Sequence, residues 1–412
     1  MACLSRRNTV RLLGSAALAP ALLRSAWAED KVLTIGMSFP ITGTLALQAG
    51  QVRDAVVYAI NEANEKGGIA GYKLRDLTFD DASPTTGQYD PALAATNGRK
   101  LLQDPTVIAA VGPLNSGSAK AVSPIYSQGG MATISGSATN PDLTDPKFAQ
   151  LYHPASPPIF FRTVTTDAYQ GPNLANYFAE TLKVQKIVVL DDGGAYGVGM
   201  ADAFAAQAKK KGMEVLIRDR LDPLNADYTA ILTRAKSLGT QGLYYGGDPG
   251  AGAKVVKQSY DLMPNIPKGG GDGVHTPDML SGGGSPAIEG WYATSAAAHV
   301  LDDPSVRPWA ERYVAKTGKQ PADYTITYYD AAQIIFDAIE RVAKSGKPVN
   351  RANVRDAIAT TNLKTLQGDI SFDANGDMNS KIVSIYQVKV DTKFPINDVV
   401  HQFKYIGVAP AA

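Results

Sequence analysis

Cysteine is almost absent from this 412-residue chain, Cys3 being the only one. With no second thiol there is no internal disulfide, and once the first residues are cleaved no thiol nucleophile or thiolate metal site is left. Histidine is scarce too. His153, His275, His299 and His401 are too scattered to suggest a metal pair and read as surface or hydrogen-bonded structural residues. After the first residues, no apolar run reaches the roughly 20 residues that a membrane-spanning helix needs. Charge of one sign is lacking as well: 40 Lys and Arg against 39 Asp and Glu exclude the basic field that nucleic-acid binding requires. Enzyme signatures fail when tested. There is no G-x-S-x-G elbow and no G-x-x-x-x-G-K-S/T loop, and the glycines at Gly194, Gly197, Gly199 and at Gly247, Gly250, Gly252 are spaced the wrong way round for a dinucleotide turn.

The chain begins with an export segment. Arg6, Arg7 and Arg11 precede a short apolar core from Leu12 to Leu23, and Ala26-Trp27-Ala28 has the small-x-small pattern of a cleavage site. Ser5-Arg6-Arg7 resembles a twin-arginine signal, with Asn8-Thr9-Val10 a loose fit after it. Removal of residues 1–28 takes away Arg6, Arg7, Arg11 and Arg24 and no acid, leaving a slightly acidic mature chain. Its length suits two domains rather than one core. An exported, periplasmic protein without a membrane anchor is expected.

The mature sequence alternates strand and helix. Val32 to Phe39 reads as a strand, and Val52, Ala55, Val56, Ala59, Ile60 and Ala63 recur at helical spacing until Gly67-Gly68. A strand from Leu74 to Phe79 and a helix to Gln103 follow. The chain is organised around Val107 to Ser118: an apolar strand, a turn at Gly112 to Asn115, then Ser116, Gly117 and Ser118 opening a helix. Hydroxyls and free N–H groups there gather at the positive end of a helix dipole, a place for a small anion. Met131 to Thr144 repeats the design with Ser135, Gly136, Ser137, Ala138 and Thr139. From Phe160 the alternation restarts. Strands end at Asp191-Asp192 and at Gly246-Gly247-Asp248, and a glycine-rich turn holds Asp272. Helices are expected near Ser305 to Thr317 and Tyr324 to Lys344. Gln367 to Val390 reads as two strands joined by a hairpin at Asp373 to Asp377. That acidic turn lacks a calcium loop's twelfth-position acid, since Ser384 stands there.

The pattern is that of an α/β protein with two doubly wound parallel-sheet lobes, whose strands deliver their carboxyl ends to one crevice. Ser116, Ser137 and Thr139 on one side suit a carboxylate; Tyr196, Asp248 and Asp272 on the other suit an ammonium. Together they outline a free amino acid. Asp248 reads equally as a cap for the helix after Pro249, and Asp272 as a turn residue.

GPLNSGS, ISGSATNPDLT, DDGGAYGVG, LYYGG and the opening VLTIGMSFPITG, in this order, resemble the exported leucine/isoleucine/valine-binding proteins of ABC importers. The resemblance runs from Val32 to about Gly376. It implies a type I periplasmic binding fold with three crossover segments, near Thr163 to Thr166, Ser295 to Val300 and Gly368 to Asp373. Lobe 1 would comprise 31–163 and 298–367, and lobe 2 166–295 and 370–412. It also implies a ligand held by Ser116, by backbone groups of Ser137, Ala138 and Thr139 together with the Thr139 hydroxyl, by Tyr196 and by Asp272, and delivered to a membrane permease. No cofactor and no metal are implied, and a monomer is expected. Two departures stand out: Asp248 replaces the tyrosine of the aliphatic-specific members, and Ser83 and Asn115 occupy positions that those members join by a disulfide. A second cleft acid beside Asp272 favours a polar or basic amino acid over leucine. The alternatives are an aromatic or other small carboxylic acid in the same fold, a ligand-sensing module without transport, and, third, a hidden hydrolase.

Overall fold

The computed structural model describes residues 31–155 and 157–412; the expected export segment, residues 1–28 with Cys3, lies outside them. Its strands are β1 (Lys31–Phe39), β2 (Tyr72–Asp80), β3 (Val107–Val111), β4 (Thr133–Ser135), β5 (Phe160–Arg162), β6 (Lys186–Asp191), β7 (Glu214–Arg220), β8 (Gly242–Gly246), β9 (Lys268–Gly270), β10 (Tyr292–Ser295), β11 (Asn362–Thr365), β12 (Gly368–Ser371), β13 (Ser384–Val388) and β14 (Phe403–Val408). The first sheet is wholly parallel in the order β2-β1-β3-β4-β5. The second repeats that order as β7-β6-β8-β9-β10 and then adds β13 and β14 antiparallel at the β10 edge.

Central strands such as β3, VIAAV, are buried at every residue, as expected where helices cover both faces of a parallel sheet. In the first lobe, helices Ala46–Glu65 and Asp323–Lys344 pack on one face and Pro91–Gln103 and Ser116–Gln128 on the other. Phe161, Ile334 and Ile335 fill the first of these cores and Leu101, Val122 and Tyr126 the second. In the second lobe Asp167–Glu180 and Ala195–Lys210 cover one face, and Thr229–Ser237 and Pro249–Leu262 the other. Each fully buried Leu, Ile or Phe in these layers contributes about 1.5–3 kcal/mol.

Doubly wound sheets open a crevice where the strand order reverses. Here that falls between β1 and β3 in one lobe and between β6 and β8 in the other. Two glycines shape the loops at these points. A Cβ on Gly112, at φ +105°, would stand 2.5 Å from the Phe39 ring, and one on Gly247, at φ +152°, would stand 2.6 Å from the Asp192 carboxylate.

The lobes are joined by neighbouring strips of chain. Thr165 N donates to Ala296 O at 2.7 Å, and Ser384 Oγ donates to Ala297 O at 2.8 Å. The third crossing comes later than the expected Gly368 to Asp373. β12 pairs with β11, and the turn after it stays on the first lobe: Arg162 N donates to Gly376 O at 3.2 Å and Arg162 Nε reaches Asp377 at 2.6 Å. The chain enters the second sheet only at Ser384. The expected hairpin between Gln367 and Val390 is therefore corrected: its two strands lie in different sheets, because the fully buried Arg162 guanidinium holds the turn back.

Candidate ligand-binding cleft

Loops from the carboxyl edges of both sheets meet around a cavity lined by Gln48, Leu114, Asn115, Ser116 and Ser137 from the first lobe and Tyr196, Asp248, Asp272 and Gly273 from the second. The lobes stand closed on each other. Asn115 Nδ2 donates to Asp248 Oδ2 at 3.1 Å, Asn140 Nδ2 to Ala195 O at 2.8 Å, and Tyr324 OH to Asp272 Oδ2 at 2.5 Å. The cavity between them measures about 20 Å³, room for about one water. A ligand the size of an amino acid therefore enters only with the lobes apart.

The first-lobe wall is neutral. Ser116 opens the helix Ser116–Gln128, and its hydroxyl accepts from Asn140 N at 3.2 Å while keeping its own proton free to donate. Ser137 lines the cavity, but its hydroxyl bonds inward, to Leu114 O at 2.8 Å and to Tyr328 OH at 2.7 Å. Ala138 is fully engaged within its lobe: its N–H donates to Ser135 Oγ and its carbonyl accepts from Arg162. Thr139 Oγ1 is buried without a partner, and Thr139 O accepts from Asp167 N at 3.0 Å.

The second-lobe wall is acidic. Asp248 precedes the helix Pro249–Leu262, yet its side chain makes no capping bond and turns to Asn115 and the cavity. Asp192 lies behind it and accepts from Asp248 N at 2.7 Å and Gly194 N at 2.9 Å. Asp272 accepts from Gln170 Nε2 at 2.9 Å as well as from Tyr324. Tyr196 OH accepts from Gly273 N at 2.9 Å. Asp167 completes the group, with Oδ2 unpartnered.

Burial acts on all four carboxyls, because a charge is poorly solvated there. It pushes Asp167 up to about 8, with the Asp272 charge adding to the rise. Asp192 rises to about 6, restrained by the N–H groups of Asp248 and Gly194. Asp248 stands well above the usual carboxylate range through burial and then the charges of Asp192 and Asp272. Burial raises Asp272 too, against the hydrogen bonds of Tyr324, Tyr196 and Gln170. No basic side chain lines the cavity among the described residues.

Contributors that the sequence does not point to include Gln48, Tyr89, Asn115, Asp167, Gln170, Asp192 and Tyr324. Tyr89 lies over Gly117, where a Cβ would stand 2.8 Å from its ring, and its hydroxyl reaches across to within 2.9 Å of a Cβ on Gly194. Tyr324 heads the helix Asp323–Lys344, whose apolar stripe is all that its sequence announces. Ser83 and Asn115 are engaged separately, Ser83 with Thr85 and Asn115 with Asp248.

Two doubly wound lobes with their switch points turned toward one polar cavity define a receptor that closes on a small solute. The chain belongs to the periplasmic binding protein family, whose model matches residues 32–393. It is 29% identical over 360 residues to the Leu/Ile/Val-binding protein BraC3 of Rhizobium johnstonii, covering 86% of this chain and 91% of that one. Among solved structures, a leucine binding protein, LivK, from Thermotoga maritima superposes with a TM-score of 0.78 at 24% identity, covering 92% of this chain and 98% of that one. An ABC transporter solute binding protein from R. palustris, in complex with benzoate, superposes with a TM-score of 0.74 at 19% identity over 92% and 97% of the two chains. The family is one of solute-binding receptors of ABC transporters, not of enzymes, and no helix among the described residues is long and apolar enough to cross a membrane.

Proposed function

We propose that this chain, exported to the periplasm by its N-terminal segment, captures a free amino acid with a polar or basic side chain and hands it to the permease of an ABC importer. The observation that carries the reading is the pair Asp248 and Asp272, buried on the cavity wall, with Asp192 hydrogen-bonded behind Asp248, Asp167 close behind Asp272, and no basic side chain among the cavity-lining residues described. The Ser116 hydroxyl and the N-terminus of its helix suit the ligand's carboxylate; Asp272 suits its ammonium. Asp248, held only by Asn115, remains to meet a donor or second cation on the ligand side chain. Relatives named for leucine, isoleucine and valine support an amino acid, and the acid at Asp248 supports a polar one. Ligand binds most tightly when both lobes touch it, so it favours closure.

The test is native mass spectrometry of the purified mature protein, followed by melting curves with lysine, arginine, asparagine, leucine and benzoate. A ligand in excess raises apparent stability. Preferential stabilisation by lysine, arginine or asparagine is expected. Preference for leucine would remove the proposed role of Asp248, and preference for benzoate would remove that of Asp272 as well.

A further inference from the structure

We propose that Asp278 is a latch between the lobes and the positioning residue for Gln48. Asp278 belongs to the second-lobe helix Pro277–Gly283, which Thr276 starts by accepting from Met279 N at 3.0 Å. Its two carboxylate oxygens leave that helix and accept from first-lobe amides, Leu47 N at 3.0 Å and Gln48 N at 2.8 Å. These amides belong to the first turn of Ala46–Glu65, a helix that no side chain of its own lobe caps.

A helix start leaves its first amides without intrahelical partners, and an anion there satisfies them and meets the favourable end of the dipole. Here the anion comes from the opposite lobe, so the bond exists only when the lobes are closed. Gln48 is buried and lines the ligand cavity; fixing its backbone fixes its side chain at the ligand. Asp278 itself is not among the cavity-lining residues. It would therefore slow release of the solute without touching it. The geometry is independent of which solute is bound.

The latch is tested in the mature chain, which has no cysteine after Cys3. Two introduced cysteines, at the exposed Lys66 in one lobe and Lys257 in the other, take spin labels that report the interlobe distance. Asp278→Ala is expected to lengthen that distance and Asp278→Asn, which keeps one acceptor oxygen, to do so by less. With L-lysine, L-leucine and benzoate as probes, Asp278→Ala should speed dissociation of any that binds by about tenfold, as for loss of about 1.4 kcal/mol, with association unchanged. An unchanged distance and release rate in both variants overturns the latch, and so does a lower melting temperature without a change in distance. Binding of none of the three probes would count against the functional reading alone, since the label distances decide the latch.

Discussion

The two walls of the cleft are built on the same topology and carry opposite chemistry. Both sheets run in the 2-1-3-4-5 order, and both present loops at the switch point. After β3 and β4 these loops hold Asn115, Ser116 and Thr139; after β6, β8 and β9 they hold Asp192, Asp248 and Asp272. The scaffold thus sets where the cavity lies, and on the proposed reading a handful of loop residues decides which end of the ligand faces which lobe. A neutral wall with a helix N-terminus accepts an anion at little cost. An acidic wall with no basic side chain on the cavity is costly by itself, and a cation relieves it.

The most severe way to break this asymmetry is at Asp272. Asp272→Ala would deprive a bound ammonium of its partner, leave the Tyr324 hydroxyl without its acceptor and remove one of the hydrogen bonds of Gln170. The loss should reach about 3–5 kcal/mol, more than 100-fold in Kd by isothermal titration calorimetry. A variant binding an amino acid as tightly as the parent would show that the ammonium lies elsewhere. Asp248 sharpens the comparison instead of breaking it. Asp248→Leu removes the second acid and supplies an apolar surface, so the ratio of lysine to leucine affinity should fall about 10- to 100-fold, a change of roughly 1.5–3 kcal/mol. Equal losses for both amino acids would mean that Asp248 only braces Asn115.

How far the sequence discloses this cleft follows from distance along the chain. Ser116, Asp248 and Asp272 each sit just after a strand, where the alternation of apolar runs and turns marks a carboxyl edge, and so they were visible. Gln48, Gln170 and Tyr324 sit in the first turns of helices that announce only an apolar face, and nothing local tells that these turns border the cleft. Tyr324 and Asp272 are 52 residues apart in sequence. The parallel sheets were legible for the same local reason. The supposed hairpin misled because Arg162 looked like an ordinary strand residue; its hold on Asp377 and on the carbonyls of Ala138 and Asn140 is a fact of burial. Ala138 misled in the same way, its backbone being spent inside the lobe.

On the neutral wall, effects should be smaller. Ser116→Ala removes one donor while the helix N-terminus remains, so affinity should drop about tenfold or less, near 1 kcal/mol. The drop should be alike for amino acids and for carboxylic acids without an amine. A loss confined to amino acids would assign Ser116 to the ammonium and reverse the orientation of the ligand.

The subtlest contrast is in pH dependence. Asp167 titrates near 8 and Asp192 near 6 in the folded protein, against about 3.9 for an unfolded aspartate. Above pH 4 the folded state therefore holds more protons than the unfolded one, and stability falls as pH rises toward 8. The protein without added ligand should melt a few degrees lower at pH 8 than at pH 5, the drop flattening in Asp167→Asn, which needs no proton to stay neutral. A cationic ligand reverses the sign. It meets the cavity-lining Asp248 and Asp272, whose carboxyls burial also raises, so the affinity for lysine should rise as these acids lose their protons with rising pH. The neutral wall has no such group among Ser116, Ser137 and Thr139, and affinity changes that begin only outside this window would have to come from the ligand. If lysine affinity stays flat from pH 5 to pH 8, the acids do not face the ligand's cation, and the two walls are less different than their residues suggest.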